Sequence, residues 1–179
     1  MSTESEERLV EAAQKGHLQS FAILYERYYG AMVAVAYSVL ADHGLAEDAA
    51  QETFAIACRD LPKLRRGDRF AAWLAGICRN VTRQMQRLEK RAAETNEALP
   101  AEGRGDDYRD AVRQAVWKLR RTEREPIVLR YYDNMSYEQI GSVLGISPQA
   151  VHGRLVRAKR KIAKELRRDG LSGGDYENR

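Results

Sequence analysis

The sequence predicts an all-α protein of two small helical domains joined by a flexible linker, with a helix-turn-helix as the second domain. Apolar residues recur at helical spacing through residues 18–40 and again from residue 70 onward. Residues 92–106 break this pattern, because they are acidic and contain one proline and two glycines. The predicted boundaries are therefore 1–91 for the first domain, 92–106 for the linker, 107–168 for the second domain and 169–179 for a disordered tail.

The first domain begins with a short amphipathic helix around Leu9, which is expected to stop near Gly16. A long helix with one apolar stripe follows over 18–40, and residues 42–44 break the chain. The helix predicted over 45–60 turns four alanines and Phe54 inward. After a basic loop over 62–69, a last helix begins at Phe70, with Leu88 on its apolar stripe.

The outward face of the 45–60 helix carries Asp48, Gln51 and Glu52 at i, i+3 and i+4 spacing. Such a compact acidic and polar patch suits docking against Arg or Lys of a partner protein. An ordinary solvated face is the alternative that the residues alone leave open.

The basic loop and the helix after it alternate arginines with side-chain amides. Cations hold a nucleic-acid backbone, whereas Asn and Gln offer paired donors and acceptors to base edges. The pattern therefore indicates a groove for exposed bases and phosphates, with a merely charged surface helix as the alternative. Its members include Arg79, Asn80, Arg83, Gln84 and Arg87.

In the second domain, a helix is predicted over 107–119. Thr122 and Glu125 have the spacing of a capping box, which would open the next helix, the one that carries Ile127, Val128 and Tyr131. A turn at 133–134 leads to the last two helices.

Residues 136–168 have the caps, turn and charge of a helix-turn-helix. Ser136 and Gln139 form a capping box, Gly145 supplies the turn, and Ser147 with Pro148 starts a longer basic helix. Such a helix pair is typical of DNA-binding proteins, although a plain helical hairpin is the alternative. The expected core is Ile140, Leu144, Ile146, Val151 and Leu155, and the expected outward residues are Gln149, His152, Gly153, Arg154, Arg157 and Lys159.

Composition narrows the classes of function. Residues 1–60 hold four basic and ten acidic side chains, whereas residues 61–91 hold nine basic and two acidic ones. This asymmetry indicates one protein-facing surface and separate nucleic-acid-facing ones. No membrane-spanning run or signal peptide is recognisable, so a cytoplasmic protein is expected. We expect no enzyme, metal or cofactor, because no ligand cluster, phosphate loop or catalytic grouping stands out, and Cys58 and Cys78 are interpreted as core residues.

With these pieces in place, the chain resembles the extracytoplasmic-function (ECF) group of bacterial RNA polymerase sigma factors. LAEDAAQETF resembles the family's polymerase-binding helix, and FAAWLAGICRNVTRQ resembles its helix for the promoter −10 element. The stretch REPIVLRYYDNMSYEQIGSVLGISPQAVHGRLVRAKRKI resembles its −35-binding domain. The resemblance runs from about Leu9 to Leu166, in the family's order and spacing.

The resemblance implies a non-enzymatic specificity subunit whose partners are core RNA polymerase (the clamp coiled coil and the flap), promoter DNA and, in many family members, an anti-sigma factor. Asp48, Gln51 and Glu52 would bind the polymerase. The residues implied for melted −10 DNA are Leu64, Arg65, Arg66, Arg69, Trp73, Arg79, Asn80, Arg83, Gln84 and Arg87. Those implied for the −35 duplex are Ser147, Gln149, His152, Arg154 and Arg157, with Lys159 and Lys161 better placed for phosphates.

Two glycines depart from the family pattern. Gly141 stands where the family usually has Ala, and Gly153 where Ser is common, so each is expected to weaken its helix by up to about 1 kcal/mol relative to Ala. The alternative function is a stand-alone helix-turn-helix repressor or activator, whose N-terminal domain dimerises or senses a ligand.

Overall fold

The computed structural model describes residues 5–95 and 107–170 of the chain, and within them it contains eight α-helices and no strands. The first domain holds α1 (Glu6–Gln14), α2 (Leu18–Leu40), α3 (His43–Asp60) and α4 (Phe70–Thr95). The second holds α5 (Asp107–Trp117), α6 (Arg121–Tyr131), α7 (Tyr137–Leu144) and α8 (Pro148–Arg168). The predicted all-α fold class is confirmed.

Helix α2 is the centre of the first domain, and α1, α3 and α4 pack around it. All four alanines predicted to face inward from α3 are fully buried. Their small side chains allow the backbones of α2 and α3 to lie close together. Phe54 fills the end of this contact, with its ring centroid 4.6 Å from that of Tyr25. The predicted inward face of this helix is therefore confirmed.

The start of α3 lies slightly earlier than predicted. The Asp42 side chain accepts a hydrogen bond from the Leu45 backbone amide at 2.9 Å, which makes Asp42 the N-cap and His43 the first helical residue. Gly44 therefore lies inside the helix and does not break the chain. The break is at Ala41, which adopts a left-handed conformation with φ of 60°.

The helix-turn-helix forms as its local signals predict. Ser136 Oγ accepts from the Gln139 amide at 3.2 Å, and the Ser136 amide donates to Gln139 Oε1 at 2.7 Å. Gly145 takes a left-handed φ of 67°, and Ser147 caps α8 by accepting from the Ala150 amide at 3.2 Å. The predicted core is present, with Ile140, Val151 and Leu155 buried and Leu144 and Ile146 packed against it.

Three predictions about individual residues are wrong. Thr122 does not open α6, because that helix starts at Arg121 after Arg120, and Glu125 bonds to Arg79 of the first domain. Leu88 is 63% exposed, although it continues the apolar stripe predicted for α4, and Cys58 is exposed, although it is interpreted from the sequence as a core residue.

The last helix of the first domain is longer than predicted. Helix α4 continues through Thr95, four residues into the predicted linker. The rest of that linker, residues 96–106, and the predicted tail beyond residue 170 lie outside the described residues.

Gly141 does not weaken its helix relative to Ala in the way the sequence predicts. A Cβ atom there would lie 2.7 Å from the Ile146 carbonyl oxygen, so Ala would collide with the turn. At Gly153 the nearest atom to an added Cβ is Arg157 Nη1 at 3.4 Å, which is the end of a flexible side chain. The expected advantage of Ala therefore applies to Gly153 alone.

The two domains pack directly on each other. Helices α2 and α4 of the first domain contact α6 and α7 of the second. This arrangement brings the loop before α4 close to the turn between α7 and α8.

Candidate nucleic-acid interface

The outward face of α8 presents Gln149, His152 and Arg157 to solvent, while Val151 and Leu155 hold its other side in the core. Arg154 is only half-exposed and lies toward the edge of this face. Most of the residues predicted for DNA contact on this helix therefore share one accessible surface.

Lys159 and Lys161 lie on opposite edges of that surface, and both are engaged within the domain. The Lys159 ammonium lies 5.4 Å from the centre of the Tyr131 ring, and its hydrogen bond to Tyr131 raises the pKa of Lys159. Lys161 Nζ donates to both carboxylate oxygens of Glu123 at 2.7 Å, which lowers the pKa of Glu123. Both lysines thus tie α8 to α6.

Arg160 was missed by the sequence reasoning. It is exposed and lies three residues beyond Arg157, just under one helical turn, on the same outward face of α8. The signal that could have found it is the helical phase relative to Gln149 and Gly153, since the basic run 157–161 conceals which cations point outward.

The basic loop of the first domain is built from two short 3₁₀ turns, Leu61–Lys63 and Gly67–Arg69. The side-chain amide of Gln14 donates to two of its carbonyl oxygens, those of Leu61 at 3.0 Å and Leu64 at 2.7 Å. Leu64 packs against the core. Helix α1 therefore fixes the shape of the loop from 50 residues away.

The three loop arginines predicted for −10 DNA are exposed, and one of them has a close partner. Arg66 pairs with Asp68 at 2.6 Å, and this hydrogen bond lowers the pKa of the Asp68 carboxyl. Arg65 and Arg69 are accessible beside it. The loop therefore offers its cations at the start of α4, with one of them already balanced by a carboxylate.

On α4 itself, Asn80, Gln84 and Arg87 are exposed. Arg83 donates to the Asn80 side-chain oxygen and, at 3.0 Å, to the Arg79 carbonyl, so the amide and the cation are fixed together. Trp73 is half-buried, with its ring centroid 5.9 Å from that of Phe70.

Arg79 differs from its neighbours on α4, because it faces the second domain. Its Nε atom donates to Glu125 Oε1 at 2.7 Å, and the two side chains are only 19% and 7% exposed. The structure therefore places this predicted DNA contact in the domain interface.

The acidic patch of α3 is separate from both basic surfaces. Asp48, Gln51 and Glu52 are all exposed, directly opposite the buried alanines of the same helix. The structure brings the three predicted polymerase contacts onto one solvent-facing stripe.

Comparison with known proteins identifies the family. A family model for Sigma-70 region 2 matches residues 24–92, and one for Sigma-70 region 4 matches residues 109–162. The ECF RNA polymerase sigma factor SigW of Bacillus subtilis is 26% identical over 181 residues, which cover 88% of this chain and 95% of SigW. The chain belongs to the ECF group of sigma-70 factors.

Two further similarities extend along most of the sigma factor. The RNA polymerase sigma factor CarQ of Myxococcus xanthus is 29% identical over 165 residues, covering 88% of this chain and 95% of CarQ. The structure of CnrH in complex with the cytosolic domain of CnrY matches with a TM-score of 0.58 and 29% identity, covering 92% of this chain and 98% of CnrH.

The function follows from the family: this protein is an RNA polymerase sigma factor that acts in promoter-specific transcription initiation. The region 2 match accounts for the first domain, which the alternative of a stand-alone repressor assigned to dimerisation or sensing. Within residues 5–95 and 107–170, no helix combines the length and apolarity needed to cross a membrane.

Proposed function

We propose that this sigma factor divides its work among three surfaces, with the acidic stripe of α3 holding the core polymerase. Asp48, Gln51 and Glu52 would contact the clamp coiled coil. The observation that carries this assignment is their common exposure on a helix whose opposite face is buried. Their charges are therefore available to a basic partner without disturbing the core.

The loop over 61–69 and the exposed face of α4 would capture melted −10 DNA. Arg65, Arg69 and Arg87 supply phosphate contacts, and Asn80 and Gln84 offer donors and acceptors to an unstacked base. Flipping a base out of the duplex costs a few kcal/mol, which these contacts must offset.

Helix α8 would lie in the major groove of the −35 element. A capped N-terminus, Gln149, His152 and Arg157 then face the base edges, where each bidentate contact discriminates by about 1–3 kcal/mol. Lys159 and Lys161 would approach phosphates from the edges of the helix.

Neither basic surface is large, so tight promoter binding requires the polymerase to hold both at once. Joining two weak readers on one scaffold raises their effective concentration and hence the affinity of the whole. A regulator of the anti-sigma class is a further partner that we propose from the similarity to CnrH, which has a solved complex with the cytosolic domain of CnrY.

The decisive experiment reverses charge on the α3 stripe. The double variant Asp48→Arg with Glu52→Arg should lose core-polymerase binding while keeping its helical circular dichroism, since both residues are exposed. The matched control is Glu7→Arg with Glu11→Arg, which reverses two exposed acids at the same spacing on α1. Both pairs are assayed by pull-down of purified core enzyme and by initiation on genomic DNA.

Normal assembly of the α3 variant with core enzyme would show that the docking assignment is wrong. The repressor alternative makes a different prediction, which is tight binding of the wild-type protein to a palindromic duplex without polymerase.

A further inference from the structure

We propose that Tyr137 is a positioning residue for −35 recognition, because its ring limits the directions in which the His152 imidazole can meet a base pair. The proposal deepens the proposed function of α8 and rests on it. The ring contact itself does not depend on that function and can be measured in the free protein. The preference of His152 for one base pair would then depend on a residue of α7 that need not touch DNA.

His152 lies near the start of α8 with its side chain exposed to solvent. A helical backbone leaves two χ1 rotamers open to most side chains, so an exposed histidine ordinarily moves between them. In this structure the imidazole lies beside the Tyr137 ring, with a centroid distance of 5.9 Å and an interplanar angle of 50°. Tilted aromatic pairs at this distance attract each other, so the contact favours one orientation of His152.

The Tyr137 ring is held by its own backbone and by a cation of α6. Tyr137 is the first residue of α7, directly after the N-cap Ser136, and its half-buried ring packs against the core. The Arg130 guanidinium lies 5.7 Å from the centre of the ring, and its Nη1 atom donates to the Met135 carbonyl oxygen at 2.7 Å. Because the guanidinium is itself bonded to the backbone, it restrains the ring that it covers.

The loop between α6 and α7 keeps these side chains together. The Met135 amide donates to the Leu129 carbonyl oxygen at 3.3 Å, and the Met135 side chain is buried. Helix α7 in turn packs on α8. The position of the His152 imidazole is therefore set by three helices, with α6 supplying the cation and α7 supplying the aromatic ring.

The orientation of an imidazole matters for base recognition. A neutral imidazole has one donor nitrogen and one acceptor nitrogen, so the direction of the ring decides which of them faces the groove. In the major groove each base pair presents a different order of donors and acceptors. A ring that is free to turn can satisfy several of these orders, whereas a ring held by Tyr137 satisfies fewer. The contact is thus expected to sharpen specificity more than affinity.

NMR spectroscopy of the histidines tests the ring contact in the free protein. The chain has three histidines, His17, His43 and His152, so their Hε1 signals can be assigned by substitution. Tyr137→Leu keeps an apolar side chain against the core but removes the ring current, and it should shift the His152 signal alone. Tyr137→Phe keeps the ring and should leave that signal near its wild-type position. A His152 signal that stays in place in Tyr137→Leu would overturn the positioning role.

Base preference tests what the contact does. The ratio of initiation from the preferred promoter to initiation from each single-base variant of the −35 element is measured with holoenzyme. At the positions where His152→Ala loses discrimination, Tyr137→Leu should lose about 2- to 10-fold of it, since an unrestrained ring must be ordered on binding. Tyr137→Phe should retain the discrimination, because the ring and not the hydroxyl restrains His152.

The double variant Tyr137→Leu with His152→Ala separates positioning from direct contact. If Tyr137 acts through His152, the double variant should have the same base preferences as His152→Ala alone. A further loss in the double variant, or an equal loss of initiation at every −35 sequence, would overturn the proposal in favour of a direct phosphate contact by Tyr137. If His152→Ala itself changes no preference, the proposed function of His152 fails, and the NMR shift shows separately whether the rings are in contact.

Arg130→Met provides a second test that leaves both rings in place and does not depend on the folding of Tyr137→Leu. Without the guanidinium, the His152 signal should move in the same direction as in Tyr137→Leu by a smaller amount, and discrimination should fall by less. Arg113→Met, which removes an exposed arginine of α5, is the control. Circular dichroism checks that each variant is folded. A His152 signal unaffected by loss of either the ring or the guanidinium would contradict the proposal.

Discussion

The two basic surfaces of this sigma factor differ in where their neighbours come from. On α8, Val151 and Leu155 are buried in the core of the same short motif and leave Gln149 and Arg157 exposed, so the face can be predicted from local spacing. On α4, Arg79 meets Glu125, which lies 46 residues further along the chain. A DNA-reading face assembled from one segment is thus predictable from its sequence, whereas one that packs against a second domain is not.

The α8 side of this comparison is tested most strongly by Arg157→Ala. Loss of one base or phosphate contact should lower initiation from this factor's promoters by roughly 5- to 150-fold, which corresponds to about 1–3 kcal/mol. Run-off transcription on promoters identified from the holoenzyme's own transcripts measures the effect. Arg167→Ala removes the same charge at an exposed position three turns further on, and an equal loss there would show that α8 acts only through its overall charge.

Gly141→Ala tests whether the turn between α7 and α8 is as tight as the structure shows. The added methyl group would lie 2.7 Å from the Ile146 carbonyl, while the Ile146 amide is bonded to the Gly141 carbonyl at 3.0 Å. The turn cannot move away without breaking that bond, so the free energy of unfolding should fall by about 1–3 kcal/mol. Urea denaturation followed by circular dichroism measures it.

Gly153→Ala provides the opposite outcome within the same motif. Ala is favoured over Gly in a helix by up to about 1 kcal/mol, and only the movable end of Arg157 is nearby. The free energy of unfolding should therefore rise by up to that amount in the same urea titration. A lower free energy of unfolding for Gly153→Ala would contradict this prediction, because it would show that the open space around Gly153 does not make Ala acceptable there.

Asp133→Asn makes the smallest expected change and probes the contact between domains. Burial beside Gly30 raises the pKa of the Asp133 carboxyl, so the folded protein disfavours its charged form. That cost is present above the raised pKa and vanishes as the pH falls and the carboxyl is protonated. The variant should melt at a higher temperature than the wild type at neutral pH.

The difference in melting temperature between Asp133→Asn and the wild type should shrink on titration to about pH 4. Asp169→Asn, at an exposed site, serves as the control. A difference that stays constant with pH would exclude burial of the charge as its cause.

Features that depend on residues close together in the sequence were predicted correctly, whereas features that depend on distant residues were not. Caps such as Ser136 and Ser147 and the left-handed Gly145 depend on residues within one turn, and they were predicted correctly. The Thr122 and Glu125 spacing predicted a capping box that does not form, because Glu125 has a stronger partner in Arg79. Cys58 has the apolar neighbours of a core residue, yet it is exposed on α3. The individual DNA and polymerase contacts remain predictions.

The two hydrogen bonds from Gln14 to the loop carbonyls bear on attempts to exchange promoter specificity between sigma factors. Grafting the loop of one factor into another would leave the Leu61 and Leu64 oxygens facing whatever side chain the recipient's first helix supplies. A chimera that transfers α1 together with the loop keeps the amide that shapes it. The natural unit of exchange is therefore the first helix and the loop together, although half a domain separates them along the chain.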